Sequence, residues 1–399
     1  MTTKINNEHK KLNVPNLRFP EFQGEWEKMR LDAFTERVMR KNKSNQSRLP
    51  LTISAQYGLV DQITFFNKVV ASTDLSNYYL LKKGEFAYNK SYSSDYPWGA
   101  IKRLDNYDQG ALSSLYICFA PQDNVVSDFI LQYFESPKWH KGISEIAVEG
   151  ARNHGLLNVA VQDFFHTYHY VPKDKKEQIK ISKLLMLLDE RISTQNKIIE
   201  DLKKLKSAII EKLYSEIQGK EYSYRQLFEI INERNNRLEF SNVLSASQER
   251  GMVSREDLNL DIKFERSNIN TYKIVRNGDY VIHLRSFQGG FAFSDIVGVC
   301  SPAYTIMRPK DLLEYGYLSY YFTSRQFIKS LVIVTYGIRD GRSINVDEWF
   351  DMKIVIPTKE QQRHIVRTIK VFENKIENEE MYASCLLKQK QHLLRQMFI

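Results

Sequence analysis

Residues 171–192 read VPKDKKEQIKISKLLMLLDERI, and residues 356–376 read IPTKEQQRHIVRTIKVFENKI. The prolines that open them, Pro172 and Pro357, stand 357 − 172 = 185 positions apart. After a one-residue slip the two runs align at a single offset, 365 − 181 = 184. Ile181 then matches Ile365, Leu185 matches Ile369, Leu188 matches Phe372, Ile192 matches Ile376, Leu202 matches Leu386 and Ile209 matches Leu393. Solenoid repeats run to roughly 20–50 residues, so the duplicated element here is a whole domain with its helix. A duplicated reader implies a target with two parts.

The apolar residues of the first run, Ile181, Leu185, Leu188, Ile192, Ile199, Leu202, Ile209 and Leu213, recur on a step of about 3.5. That step keeps one seam facing a partner helix. The matching residues Ile365, Ile369, Phe372, Ile376, Leu386 and Leu393 form the expected seam of the second helix. Two slots are polar in both copies, Gln195 and Lys206 in the first and Glu379 and Lys390 in the second. A polar seam residue costs stability and can fix register and partner choice; the plainer reading is that the lysine stems snorkel to solvent. Helices of ~40 residues span ~60 Å, long enough to hold two domains a fixed distance apart.

What precedes each helix also repeats. The first copy opens with WEKMRLDAFTERV, read as a short amphipathic helix, and runs through strand-like LPLTISA, YYLLKKGEFAYNK and SSLYICFAP to a helix, VSDFILQYFES, and a last strand, FHTYHYVP. The second copy replays the order: RQLFEIINE, NVLSASQ, YKIVRNGDYVIHLR, SPAYTIMRP, YLSYYFTS and FDMKIVIP. Gly84 matches Gly278, each before a strand where a positive φ is cheap for glycine. Tyr116 matches Tyr304, and Pro121 matches Pro309. The framework agrees while the loops differ, SYSSDYPWGAIKRLDNYDQ against the shorter SFQGGFAFSDIV. Similar scaffolds with different loops bind different things in the same manner. The expected organisation is a polar arm at 1–17, a globular domain at 18–171, a long helix at 172–216, a second domain at 217–356 and a second long helix at 357–399. The fold class is mixed α/β (α+β).

Bulk properties agree with this plan. The chain of 399 residues is too long for one ordinary core, and 42% hydrophobic content supports two. A net charge of +9 favours a polyanionic partner. Cys118, Cys300 and Cys385 are odd in number and not at equivalent positions, which argues for a reducing compartment rather than a disulfide framework. The polar start MTTKINNEHKK is not a signal sequence, and no apolar run approaches the ~20 residues of a membrane span. The expected location is the cytoplasm, with no membrane partner.

No catalytic motif is legible. There is no G-x-x-x-x-G-K-[ST] phosphate loop, no zinc-type cysteine and histidine spacing, and no Asn-Pro-Pro-Tyr element. The nearest string, Ser301-Pro302-Ala303-Tyr304, reads as part of a framework strand. His166 and His169 lie three apart, but FHTYHYVP reads as a strand, which favours packing or surface roles. No enzymatic activity, cofactor or metal is expected.

Binding residues are legible in the loops. NKSYSSDYPW offers Lys90, Tyr92, Ser93, Ser94, Tyr96 and Trp98, and the equivalent HLRSFQGG offers Arg285, Ser286 and Gln288. Lysines and arginines hold phosphates, while hydroxyls, amides and arginine forks read base edges. A later loop, EGARNHGLLN, places Arg152 and Asn153 where YGIRDGRSIN has Arg339 and Asp340, with Arg342 beyond; Asn158 falls against Asn345. Each arginine has two readings, a DNA contact or a surface pair with Glu149 or Asp340. The basic stretch Arg40, Lys41, Lys43, Arg48 reads either as a backbone-contacting loop or as a solvated charge run.

Taken together, the two proline-led helices, the openings LRFPEFQGEWEKMRLDAF and EYSYRQLF, and the segments GARNHGLLNV and GIRDGRSINV resemble the specificity subunit of type I restriction-modification systems, from Asn16 to Ile399. One departure is Gln361, which stands where the first copy has Glu177. The resemblance implies two target recognition domains, each reading half of a bipartite site on double-stranded DNA, separated by antiparallel helices related by an internal pseudo-twofold repeat. It also implies two adenine-N6 methyltransferase (modification) subunits docked on those helices, and a restriction subunit joined indirectly. The alternative is a free-standing DNA-binding or architectural protein that dimerises through its long helices.

Overall fold

The computed structural model describes residues 12–68, 72, 74–147, 155–247, 250–258, 266–283, 290–336 and 343–399. The chain divides into two compact units, Met1–Gln195 with Tyr382–Ile399, and Asn196–Met381.

In the first unit the strands are β1 (Glu27–Arg30), β2 (Thr35–Arg37), β3 (Pro50–Ser54), β4 (Gly58–Asp61), β5 (Tyr79–Lys82), β6 (Phe86–Asn89), β7 (Ala100–Arg103), β8 (Gln109–Leu112), β9 (Ile117–Pro121) and β10 (Tyr168–Val171). The helices are α1 (Gln62–Phe66), α2 (Ser127–Glu135), α3 (His140–Ile146), α4 (Val161–His166) and the start of α5 (Lys175–Ser215). One antiparallel sheet has the order β2-β9-β6-β7; a second, β4-β3-β8-β5, contains one parallel pairing, β3 with β8. The period-2 geometry of a strand decides which core each residue joins. Phe86 and Tyr88 face a cluster with Phe129 of α2, Ile143 of α3 and Phe164 of α4. Ala87, between them, faces a different cluster with Leu51, Leu81 and Leu112 of the second sheet. Phe119 and Cys118 of β9 divide in the same way. Both faces of the first sheet are therefore covered at its centre, which is why the central strands β6 and β9 read as apolar runs while the edge strands β2 and β7 carry charges. Ile181 and Leu185 of α5 complete the larger cluster.

The second unit repeats this construction. Its elements are β11 (Lys220–Ser223), α6 (Tyr224–Leu227), β12 (Phe228–Ile231), β13 (Leu244–Ser247), β14 (Gly251–Ser254), β15 (Lys273–Val275), β16 (Tyr280–Ile282), β17 (Phe291–Phe293), β18 (Gly298–Cys300) and β19 (Thr305–Pro309). There follow α7 (Tyr317–Tyr321), α8 (Arg325–Ser330), β20 (Thr335–Tyr336), β21 (Ser343–Ile344), α9 (Val346–Asp351), β22 (Lys353–Ile356) and α10 (Lys359–Gln396), whose last turns belong to the first unit. The sheet β12-β19-β16-β17 has the order of β2-β9-β6-β7. A parallel bridge from Val243 to Val299 links the hairpin β13-β14 to β15-β18, where the first unit has its parallel β3–β8 pairing. Tyr280 and Ile282 face one cluster and Val281 the other, as Phe86, Tyr88 and Ala87 do. The turns agree as well. Gly84 and Gly278 stand at φ +87° and +94°, and the next residues, Glu85 and Asp279, each accept the backbone N–H three positions back at 2.8 Å.

The opening segment differs from the sequence expectation. WEKMRLDAFTERV is not an amphipathic helix but two short strands around a 3-10 turn, Leu31–Ala33. Glu27–Arg30 pair with Val171–Tyr168, and Thr35–Arg37 with Pro121–Phe119, so sheet pairing overrides helical propensity there. RQLFEIINE divides likewise: Tyr224–Leu227 are helical, and Phe228–Ile231 pair with β19.

The long helices pair antiparallel within each unit. In the first, Asp189 meets Lys390 at 2.5 Å and Arg191 Nε donates to Tyr382 Oη at 2.9 Å. In the second, Lys203 meets Glu380 at 2.7 Å and Lys206 meets Glu373 at 3.3 Å. α5 buries Ile181, Leu185, Ile192 and Ile199, and α10 buries Ile365, Ile369, Ile376 and Leu386. Leu188, Leu202, Ile209, Phe372 and Leu393 are half-buried. Toward the end of each helix the buried position moves one residue on, to Ile210, Tyr214 and Leu394. A 3.6-residue helix drifts by ~20° per heptad against a 3.5-residue pattern, and the final turns are buried against the domain cores. No helix among the described residues is long and apolar enough to cross a membrane.

Candidate nucleic-acid interface

The repeated Gln of the helix openings acts as a latch between helix and domain. Gln178 is buried; its Oε1 accepts from Val126 N at 2.7 Å and its Nε2 donates to Pro172 O at 2.8 Å. Gln362 is its equivalent: Oε1 accepts from Glu314 N at 2.8 Å, and Nε2 donates to Pro357 O and Leu312 O, both at 3.0 Å. In both copies one amide therefore ties the helix start to its own proline carbonyl and to the segment before a domain helix. The departure at the neighbouring position has a local cause. Glu177 is buried, takes a two-oxygen contact from Arg18 at 2.7 and 2.8 Å, and accepts from Trp26 Nε1 at 3.1 Å. Gln361 is exposed and instead exchanges capping bonds with Thr358.

The polar seam slots also correspond. Lys206 pairs with Glu373 and Lys390 with Asp189, and 390 − 206 = 373 − 189 = 184. Each pair is thus the image of the other under the repeat. Gln195 is buried, and Glu379 pairs with Lys375 one turn away on its own helix.

Among the loop residues of the first domain, the structure separates what the sequence grouped. Tyr92, Ser93 and Ser94 are exposed. Lys90 turns toward Arg37, Tyr79, Ser114 and Tyr116, with which it lines a cleft of about 170 Å³. Tyr96 lines a separate, wider cleft with Asp95, Lys102, Glu135 and His140. Trp98 is half-buried and packs on the larger core cluster, while its carbonyl accepts from Tyr88 Oη at 2.9 Å. Arg152, Asn153, Arg285, Ser286, Gln288, Arg339 and Arg342 lie outside the described residues. Asn158 is exposed, whereas Asn345 caps α9 through Glu348, so the two differ in role.

Several neighbouring cations are neutralised within the fold. Arg40 pairs with Glu85, Lys102 with Glu135, and Arg103 with Asp105 and Asp128. The basic loop that follows Arg40 is pinned by a residue the sequence reading did not single out. Asn42 is buried, donates to Ser47 O at 2.9 Å and accepts from Ser47 N at 2.8 Å. Asn235 does the same with Phe240, at 2.7 and 3.2 Å. The N–H of Asn42 donates to Tyr78 O and that of Asn235 to Tyr272 O, which makes the two loops equivalent. The signal was present as an Asn just after a basic residue in both copies, Lys41-Asn42 and Arg234-Asn235.

His169 is buried between Tyr133 Oη at 2.9 Å and Thr167 Oγ1 at 2.8 Å, and desolvation pushes its pKa down to about 3. His166 is exposed beside Asp32. The described residues hold no group of three His, Cys, Asp or Glu that could bind a metal. The string Ser301–Tyr304 forms a turn, with Tyr304 N donating to Ser301 O at 3.1 Å, rather than a strand; β19 begins only at Thr305, after it.

No protein-family model and no curated protein matches the sequence. By fold, the chain is similar to a solved chain of the type I R-M system described for its complex assembly and conformational transition. That match has 14% identity, a TM-score of 0.59, and covers 94% of this chain and 97% of that one. It is also similar to the type I restriction-modification system S subunit from M. genitalium, with 14% identity, a TM-score of 0.51, and coverage of 97% and 99%. The chain has the fold of a type I restriction-modification S subunit along almost its whole length, with two sheet-bearing domains and a central pair of long helices.

Proposed function

We propose that the chain is the sequence-reading, non-catalytic subunit of a type I restriction-modification complex. Domains at 18–171 and 217–356 each contact one half of a bipartite site on double-stranded DNA, and helices at 172–216 and 357–399 set the distance between them. The observation that carries this reading is the duplicated framework with divergent loops, joined to the S-subunit fold. Two equal scaffolds with unlike loops suit two unlike half-sites read in one manner.

Base reading falls to the exposed Tyr92, Ser93 and Ser94 in the first domain and to Arg285, Ser286 and Gln288 in the second; the arginines at 152, 339 and 342 and Asn153 supply further contacts. The helices dock two modification subunits, through which the restriction subunit joins. Exposed apolar residues on the helices, Leu184, Leu187 and Leu205 on α5 and Val371 and Met381 on α10, support a protein partner there. The methyltransferases flip one adenine from each half-site, because its N6 cannot react inside the stack. The work takes place in the cytoplasm, where the DNA is.

The test is base-modification sequencing of DNA from cells that express this chain with its modification partner, against cells that express the partner alone. A bipartite motif carrying N6-methyladenine on both strands, present only with this chain, is the expected result. An assembled complex that adds no motif refutes the reading.

A further inference from the structure

The divergent loops are not the only basic surface of the domains. In the first domain Arg37, at the end of β2, and Lys90, just past β6, face one cleft together with Tyr79 and Tyr116. Lys41 Nζ lies 4.4 Å from the centre of the Tyr79 ring. Arg37 is exposed and Lys90 half-buried; no carboxylate lines the cleft, and neither cation has an ion pair among the described residues. This contrasts with Arg40, Lys102 and Arg103 nearby, each of which has an acid.

The second domain keeps positive charge at the same place by other residues. Lys41 bridges to Tyr79 in the first domain, and Arg234 bridges to Lys273 in the second, so Arg234 stands for Lys41 and Lys273 for Tyr79. Tyr304 stands for Tyr116, each closing a turn onto a serine carbonyl three residues back. Lys273 Nζ donates to Tyr304 O at 2.7 Å. Arg234 is exposed, and neither it nor Lys273 has an ion pair among the described residues. Burial lowers the pKa of Lys273, and Arg234 adds to that effect. Two adjacent cations without an acid are stabilised by an external anion.

Cations at this corner of the framework, present in both domains through different residues while the loops diverge, suit what two different half-sites have in common. That common element is the sugar-phosphate backbone, not the base sequence. We propose that this corner of each domain is a phosphodiester-binding subsite for duplex DNA, with Arg37 and Lys90 as its ligands in the first domain and Arg234 and Lys273 in the second. The inference rests on the DNA-reading function proposed above.

The experiment measures duplex affinity of the complex assembled with its modification partner, over a series from 50 to 200 mM salt. The duplexes are one carrying the methylated motif and one unrelated, and inorganic phosphate serves as competitor. Arg37→Ala, Lys90→Ala and Arg234→Ala each weaken binding to both duplexes by the same factor and leave the methylated motif unchanged. Each lost contact flattens the salt dependence by about 0.9 in log–log slope, a factor of about 3.5 between those two salts. Arg37→Lys retains the wild-type slope, which separates loss of charge from loss of fold. An unchanged slope in the alanine variants, a loss confined to the motif duplex, or an altered motif overturns the subsite. Competition by millimolar phosphate without any change in duplex slope also overturns it, as a free-anion site. A wild-type complex that binds no duplex removes the function itself and the subsite with it.

Discussion

Replacing Gln178 by alanine isolates the latch that joins the first long helix to its domain. The side chain is 1% exposed and satisfies two backbone groups, Val126 N–H and Pro172 C=O. A buried polar group left without its partner costs about 1–3 kcal/mol. Pro172 is buried, but Val126 is only half-buried and regains some hydration, so the sum falls near 2–3 kcal/mol on that scale. At 1.4 kcal/mol per tenfold, this raises the opening constant of the unit roughly 30- to 150-fold. Hydrogen exchange of the purified chain reads it directly, as loss of protection at Val126 and along the first turns of α5. Gln362→Ala gives the same result in the second unit, at Glu314 and the first turns of α10. The control is the adjacent Gln361→Ala, an exposed member of a capping pair worth under about 1 kcal/mol. Equal losses for Gln178→Ala and Gln361→Ala, or a Gln178→Ala effect that appears in the second unit alone, would refute the reasoning.

Acid should weaken the first unit through His169. Its folded pKa, about 3, lies below the ordinary value of 6.5, so the unfolded chain binds the extra proton between those values. Stability is therefore fully present above about pH 6.5 and falls as pH drops toward 3, by about 2 kcal/mol between pH 6.5 and 5. Urea unfolding of His169→Gln should lose that slope; an unchanged pH profile counts against it. In the seam, Lys206→Glu sets two carboxylates side by side and Lys206→Glu with Glu373→Lys restores opposite charges. The pair is part-exposed, so the coupling energy in a double-mutant cycle is about 0.2–1 kcal/mol, and a coupling of the wrong sign excludes the contact. Leu185→Ala empties a fully buried seam position and should cost about 2–5 kcal/mol, whereas Leu184→Ala, on the exposed side, should cost little in the isolated chain and weaken assembly with the modification partner; gel filtration distinguishes the two. Gly99→Ala should destabilise the loop from Lys90 to Trp98, because φ is +76° and a Cβ would collide with Asn89 O; melting at the wild-type temperature would show the strain is absent.

The long helices were legible because their signal is one-dimensional. A 3.5-residue step, a leading proline and a second copy at one offset need no knowledge of what lies across the seam. Strands such as Pro50–Ser54 and Ile117–Pro121 were legible for a similar reason, as apolar runs closed by turns. The opening segments were not. In Glu27–Arg30 the partner strand lies more than 130 residues later in the chain, and nothing local announces it. Long-range pairing also hid Glu177, whose partner Arg18 is 159 residues away. For the interface, the sequence exposed the divergent loops because difference between copies is easy to see. It did not bring Arg37 to Lys90, since Arg37 ends β2 and Lys90 follows β6, two places away in the sheet with β9 between them.

That difference in legibility follows from how a duplicated protein divides its tasks. Residues that keep the two scaffolds alike, such as Gln178 and Gln362 or Asn42 and Asn235, bind backbone atoms, and a backbone looks the same in any sequence. They are therefore free to persist while the side chains around them change, as Phe86 becomes Tyr280 and Phe119 becomes Met307 within one register. The reciprocal seam pairs obey the same logic at the level of charge. Lys206 with Glu373 and Lys390 with Asp189 are interchangeable pairs, each partly open to solvent and so modest in its contribution to stability. Sliding α10 along α5 by a single turn would separate both pairs at once while leaving an apolar stripe in contact with an apolar stripe. Apolar contacts alone tolerate such a slip; two charged pairs at fixed offsets select against it. For two long helices that each bury their ends in a different domain core, register is the quantity that has to be fixed.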